Sequence, residues 1–389
     1  MPTYTAPGVF VEEVPAVAPI VGVGTSTPVF IGVWADGASE PTPAGTVVPI
    51  LNITKFKAAF GDFTVPPGTG QTLNAGLNTL GHAVKGFFEN GGTFCYVVRA
   101  KLETDIGEVV LPKLEAFDDV SMVVAPGVPT ATTSMTAVND IVTHCKNMGD
   151  RIAVLDAPAN ATDPTQLAPL LPTGGSAAYQ ATDFAALYTP WLVVFDDATK
   201  GERTVPPSGH IAGIYSRVDA TRGVHKAPAN EQLFGVIRPS VQIGKTAQGT
   251  INPQGGNCIR MLNGAIKVWG ARTLAGDTSL HKYVPIRRLL SFLYKSIDHG
   301  TQWAVFEPNG PDLWARIIRN VGSFLTNVWS QGALAGATPQ EAFYIKCDAE
   351  NNPPDQRANG LLIVEVGVAT VFPAEFVVFR IQQFTGPIK

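Results

Sequence analysis

Ser208 and His210 stand two residues apart and have the residue types of a nucleophile and its base. A serine nucleophile needs a sharp strand-to-helix turn to expose its hydroxyl. The G-x-S-x-G pattern that builds that turn is absent, because Pro206-Pro207 precede Ser208. Asp118-Asp119 and Asp196-Asp197 are adjacent carboxylate pairs beside strand-like runs. Paired carboxylates do acid–base work only in a cleft that raises one pKa; aspartates at strand ends are ordinary turn and cap residues. Gly244-Lys245-Thr246 matches the end of a phosphate loop, but the spacing demands glycine where Pro239 stands. Gly22-Val23-Gly24 lacks the third glycine of a dinucleotide loop. The six histidines are dispersed with no H-E-x-x-H, and Cys95, Cys145, Cys258 and Cys347 form no C-x-x-C or metal-ligand cluster. The residues therefore predict no catalytic site, no metal and no cofactor, and the chain is expected not to be an enzyme.

The elements around these residues alternate between strand and helix. Residues 29–33, 94–98, 121–125, 151–155 and 191–195 are short, continuous apolar runs. Strands of that kind are buried on both faces of a sheet covered by helices. Leu73, Leu77, Leu80, Val84, Phe87 and Phe88 recur at steps of three and four and predict one buried helix face, stopped by Gly91-Gly92. Val138, Ile141, Val142 and Cys145 predict another. Later, Pro285 opens a helix whose apolar face is Ile286, Leu289, Leu290, Leu293 and Ile297, with Arg287, Arg288, Ser291 and Lys295 off that face. A further helix over residues 312–330 carries the stripe Trp314, Ile318, Val321, Leu325 and Val328, opposite Arg316, Asn320, Ser323 and Asn327. Strand-like runs follow at 342–347, 361–371 and 375–384.

The two ends differ from the middle. Pro2, Pro7, Pro15 and Pro19 forbid a helix and favour an extended path, and between them lie Val9, Phe10, Val11 and Val14. Phe376, Val377, Val378, Phe379 and Ile381 make a second extended apolar segment near the other end. An extended apolar terminus with no local partner for its backbone is suited to adding a strand to a neighbour's sheet. The fold expected is a mixed α/β fold: a core domain from both chain ends, an inserted outer α/β domain, and extended N- and C-terminal strand arms. The boundaries expected are 1–25 for the first arm, 26–34 with 200–374 for the core, 35–199 for the outer domain and 375–389 for the second arm.

Composition narrows the function classes. Charged residues are 15% of the 389, against a typical ~25%. A chain with so few charges hides surface in an assembly, where charge is depleted at interface cores. No apolar stretch approaches the ~18–20 residues of a spanning helix, and the net charge of −4 argues against nucleic-acid binding. The N-terminus shows no basic region followed by an apolar run, so no secretory signal is expected.

Several segments together carry a resemblance. They are Pro7-Gly8-Val9-Phe10-Val11-Glu12-Glu13-Val14, Gly86-Phe87-Phe88-Glu89-Asn90-Gly91-Gly92 and Val205-Pro206-Pro207-Ser208-Gly209-His210-Ile211-Ala212-Gly213. Arg222-Gly223-Val224-His225-Lys226-Ala227-Pro228-Ala229-Asn230, Val268-Trp269-Gly270-Ala271-Arg272-Thr273-Leu274 and Gly336-Ala337-Thr338-Pro339-Gln340-Glu341-Ala342-Phe343 belong with them, as do residues 20–26, 186–192 and 332–334. With these motifs the chain resembles the contractile tail sheath proteins of bacteriophages and related contractile injection systems, over nearly its whole length. Residues 251–260 and 350–354 depart from the family's usual loops.

The resemblance implies a structural subunit that polymerises helically, as stacked hexameric rings, around an inner tube and contracts to drive the tube through a target membrane. Its implied partners are copies of itself, the inner tube protein, and baseplate and tail-terminating cap proteins, with no nucleic acid and no direct membrane insertion. Its implied place is the bacterial cytoplasm during assembly, then a phage tail (virion) or injection particle. The arms are expected to pair with a hairpin in neighbouring subunits that carries Phe343, Ile345, Cys347, Leu362, Val364 and Val366. Outward charges among Arg287, Arg288, Lys295 and Arg316 are expected to face the tube. A soluble α/β enzyme with an unrecognised site, or another self-assembling shell protein, are the alternative readings.

Overall fold

A computed structural model of the chain describes residues 18–35, 41–65, 74–129, 135–176 and 178–380. The chain divides into two compact units, one from residues 1–22 and 296–369, the other from 23–295 and 370–389.

The larger unit alternates strands and helices that feed two sheets. Its strands are β1 (Pro28–Val33), β2 (Val48–Ile50), β3 (Cys95–Ala100), β4 (Met122–Val124), β5 (Ile152–Asp156), β6 (Ala185–Thr189), β7 (Leu192–Asp196), β8 (Gly201–Val205), β9 (Arg238–Pro239), β10 (Gly256–Leu262) and β11 (Ala265–Trp269). Eight of them form a sheet of order β11-β10-β6-β5-β4-β1-β3-β2, and β8-β7-β9 form a second, antiparallel sheet. The pairings from β3 through β10 in the large sheet are parallel, and its edges β2 and β11 are antiparallel. Strand alternation sends Val29, Ile31, Val123, Leu155 and Leu187 to one face, against the Thr136–Met148 helix. Phe30, Val124, Val154, Ala186 and Tyr188 go to the other, against the Ala75–Glu89 and Ser208–Arg222 helices. Burial on both faces is what the continuous apolar runs require. The two helices on the second face approach closely because Gly209 and Gly213 carry no Cβ: one at either position would collide with the backbone at Ala83 or Phe87.

The division differs from the one expected. β1 lies between β3 and β4, and β6 pairs with β10, so residues assigned to a core and to an outer domain share one sheet. The physical reason is continuity. An all-apolar strand such as β1 needs neighbours on both edges, and β6 would otherwise end the sheet with open backbone groups. Ala18 and Ile20 belong with late residues: the Asn320 amide donates to the Ala18 carbonyl (3.2 Å), and Ile20 covers Gly300.

The smaller unit contains the Pro311–Ser330 helix and an antiparallel ribbon, β12 (Phe343–Lys346) with β13 (Glu365–Val368). The helix buries Leu313, Trp314, Ile317, Val321, Phe324, Leu325 and Val328. Asn320, expected on the polar face, is buried; its NH2 donates to Ala18, while its Oδ1 has no partner among the described residues. Ile318 is only half-buried, and Ile317 takes its expected place. The expected strand at 375–384 is absent over its described part, where residues 371–380 have no regular structure.

Candidate functional site

Of the chemistry-bearing residues, Ser208, His210 and Asp196 are built into the core. Ser208 is inaccessible to solvent; its hydroxyl and its backbone N–H both donate to Asp156, at 2.7 and 2.8 Å. Gly127 N–H donates to the same carboxyl (3.0 Å), so Asp156 ties the end of β5 to the start of the Ser208–Arg222 helix. His210 is buried against Gly86, and burial pushes its imidazole down to about 3. Asp196 accepts from Ala198 N–H and Thr199 and lies 3.3 Å from His82, while Asp119 accepts from the Tyr96 hydroxyl. Lys245 opens a short exposed helix. Among the described residues no group of three or more His, Cys, Asp and Glu is placed to hold a metal, and no helix is long and apolar enough to cross a membrane.

Burial raises the Asp156 carboxyl to about 7, against the pull of the three hydrogen bonds it accepts. A raised acid favours the protonated folded state. Its stabilisation is therefore full below the ordinary aspartate pKa and is lost as pH rises through about 7. Urea titrations should show wild-type stability falling relative to D156N between pH 4 and 8. D156A, which strands three donors, should cost roughly 3 kcal/mol or more at about 1–3 kcal/mol per orphaned group.

The basic residues expected to point outward mostly do not. Arg288 is buried: its guanidinium bonds Asp219 (2.9 and 2.5 Å) and the Thr25 carbonyl, and lies over the Tyr215 ring. Thr25 and Ser26 hydroxyls also donate to Asp219, which fixes the chain just before β1. Lys295 is buried against Asp150 (2.7 Å). Arg287 bonds Asp183 and covers Phe184. Buried charges must be paired, and these pairings correct the expectation of outward charge at Arg288 and Lys295. Arg316, 39% exposed, pairs loosely with Glu307 (3.6 Å) over the Trp303 ring.

The ribbon is the feature suited to assembly. Phe343 faces Val368, Ile345 faces Val366, and Tyr344 lies across Gly367, where a Cβ would overlap its ring. Ile345 packs toward Gly322 of the long helix, and Cys347 is buried. Leu362 and Val364 are half-buried but precede the paired strand. There the Asn352 side chain exchanges two hydrogen bonds with the Ile363 backbone, acting as a strand would. Among the described residues β12 and β13 pair only with each other, so each has an open edge. Unpaired strand edges are templates for another chain, and a two-stranded ribbon alone is marginal.

The other half of such a pairing is displayed near the C-terminus. Phe376, Val377, Val378 and Phe379 are 72%, 71%, 77% and 83% exposed. Four consecutive exposed large apolar residues mark an interaction segment. The segment begins beyond Glu375, which accepts from Arg272 Nε and a second guanidinium nitrogen (2.8 and 2.7 Å), Tyr283 (2.8 Å) and Asn252 (2.8 Å). Burial alone would raise this carboxyl; those hydrogen bonds outweigh it and hold it below the usual range. Val9, Phe10, Val11, Val14 and Ile381 lie outside the described residues.

Comparison with known proteins gives a consistent result. A family model described as the phage tail sheath protein central domain matches residues 110–274, and one described as the phage tail sheath C-terminal domain matches residues 277–384. The tail sheath protein of Burkholderia phage BcepMu is 28% identical over 240 residues, 59% of this chain and 49% of that protein. A putative prophage major tail sheath protein of Pseudomonas aeruginosa is 24% identical over 266 residues, 67% of this chain and 64% of that one. The chain thus spans about half to under two thirds of these curated relatives. Among solved structures, a chain of the contracted sheath complex of an extracellular contractile injection system, PVC, is 30% identical with a TM-score of 0.75. That match covers 98% of this chain and 99% of that one.

Proposed function

Because the chain belongs to the phage tail sheath family, we propose that it polymerises helically, as stacked hexameric rings around an inner tube, and contracts to drive that tube through a target membrane. The observation that carries this reading is the full-length likeness to a sheath chain in a contracted complex. The ribbon supports it from the side of physical chemistry: among the described residues two open edges are available, and the sequence carries an apolar segment near each terminus that could fill them. Head-to-tail contacts that do not close on themselves generate a helical tube. The work of contraction then comes from exchanging one packing of the same chain for another.

The partners in this reading are further copies of the chain, an inner tube protein, and baseplate and cap proteins. Assembly takes place in the bacterial cytoplasm and the product is a phage tail or injection particle. Expression of the chain with its tube protein, followed by electron microscopy, tests it: striated tubes support the reading, and a monodisperse monomer under all conditions refutes it. Arg316 is the basic residue carried forward as a tube contact, since Arg288 and Lys295 are buried and Arg287 is paired with Asp183 over the Phe184 ring. Exposed charges of this kind act through steering and register. R316E is expected to lower the salt concentration at which sheathed tubes lose their sheath, read by pelleting. Unchanged salt tolerance removes Arg316 from the tube contact.

A further inference from the structure

Arg272 lies directly after the β10–β11 hairpin and is almost wholly buried. Its backbone N–H and carbonyl both bond the Asn257 side chain (each 2.7 Å), so its own position is fixed from two sides. Its guanidinium points at Glu375 with a bidentate pair of bonds and reaches Asp277 with its remaining nitrogen (2.9 Å). Tyr283 and Asn252 add two more donors to Glu375, and the Tyr283 ring meets Phe372 edge-on, three residues earlier in the segment. Five hydrogen bonds from three residues therefore converge on one carboxylate. The residue after it, Phe376, is 72% exposed, and the next three are comparably bare. The change from pinned to free happens within a single residue.

We propose that the Arg272–Glu375 clamp is the anchor of the C-terminal arm: it fixes where the arm begins, so that a pull arriving through an arm strand paired with a neighbouring copy of this chain is taken up by the β10–β11 region instead of peeling residues 370–375 away. This rests on the reading that the arm pairs with a neighbour. The geometry suits the task because a bidentate charge-assisted pair loaded along the chain must lose its bonds together, whereas apolar contacts slide and separate one at a time. Residues 370–375 form no strand ladder that would resist a pull in the clamp's place. Glu375 is in this sense a positioning residue, acting on assembly through the arm it holds.

The test uses the full-length chain, with E375A, the gentler E375Q, and a chain ending at residue 375. In the soluble subunit, amide exchange at residues 370–375 should quicken at least tenfold in E375A and less in E375Q, and by a larger factor than at the strands of the large sheet. Sheaths of E375A should come apart at clearly lower urea than wild-type sheaths. The truncated chain should keep its protection at 370–375 yet build no sheath. If E375A and E375Q sheaths are as durable as wild type, or exchange at 370–375 stays unchanged in both, the anchor is overturned while arm pairing stands. If the truncated chain still builds durable sheaths, arm pairing itself fails, and the anchor falls with it.

Discussion

Deleting residues 1–17 is expected to leave a folded, soluble subunit that builds no sheath. Ala18 and Ile20 remain, so Asn320 keeps its carbonyl partner and Gly300 stays covered. What is lost is the segment holding Val9, Phe10, Val11 and Val14. Burying Phe10 against a neighbour is worth roughly 1.5–3 kcal/mol, and each valine adds a comparable amount if fully covered. A strand pairing also satisfies the open edge's backbone groups. Several kcal/mol per subunit, repeated at each contact, separates a polymer from a monomer at any practical concentration, because each 1.4 kcal/mol is about tenfold in affinity. Sedimentation and negative-stain microscopy read the outcome. Full-length contractile sheaths from the truncated chain would show that the first arm has no part in assembly.

Val366→Pro is expected to have nearly as large an effect from a single atom group. The Ala369 N–H donates to the Ala342 carbonyl across the ribbon. In an antiparallel ladder the bonded pairs alternate, which turns the N–H groups of Phe343, Ile345, Val366 and Val368 toward the open edges. Proline at 366 therefore removes an outward donor and leaves the bonds between β12 and β13 in place, as proline at a strand edge does. The variant should fold and fail to polymerise. Val366→Thr keeps both the donor and the branched shape and should assemble as wild type does. Normal sheaths from V366P would exclude the β13 edge as an acceptor.

The elements that proved legible in the sequence are those whose signal is local. The runs at 29–33 and 151–155 read as strands because a parallel strand covered on both faces is apolar at every position. The ribbon was legible too, but its second strand starts at Glu365, later than the apolar run suggests. A side chain, Asn352, occupies the partner position at Ile363, and no periodicity registers that. Arg288 and Lys295 were misplaced for a related reason. Helical spacing puts them off the apolar stripe, yet their partners Asp219 and Asp150 stand 69 and 145 residues away in sequence and turn that face inward. The domain division failed at β6–β10 on the same ground: a pairing across a long separation leaves no local mark. The clamp at Glu375 had none either, since Arg272 lies 103 residues earlier.

The most direct measurement is a cryo-EM reconstruction of the polymer formed by the full-length chain with its tube protein. The account predicts a helical sheath in which the β12–β13 ribbon of each subunit has become a four-stranded sheet, one added strand being an N-terminal segment around Phe10 and the other a C-terminal segment around Val377, both from neighbouring subunits. A sheath whose ribbons remain two-stranded, with both termini folded back on their own subunit, would contradict it.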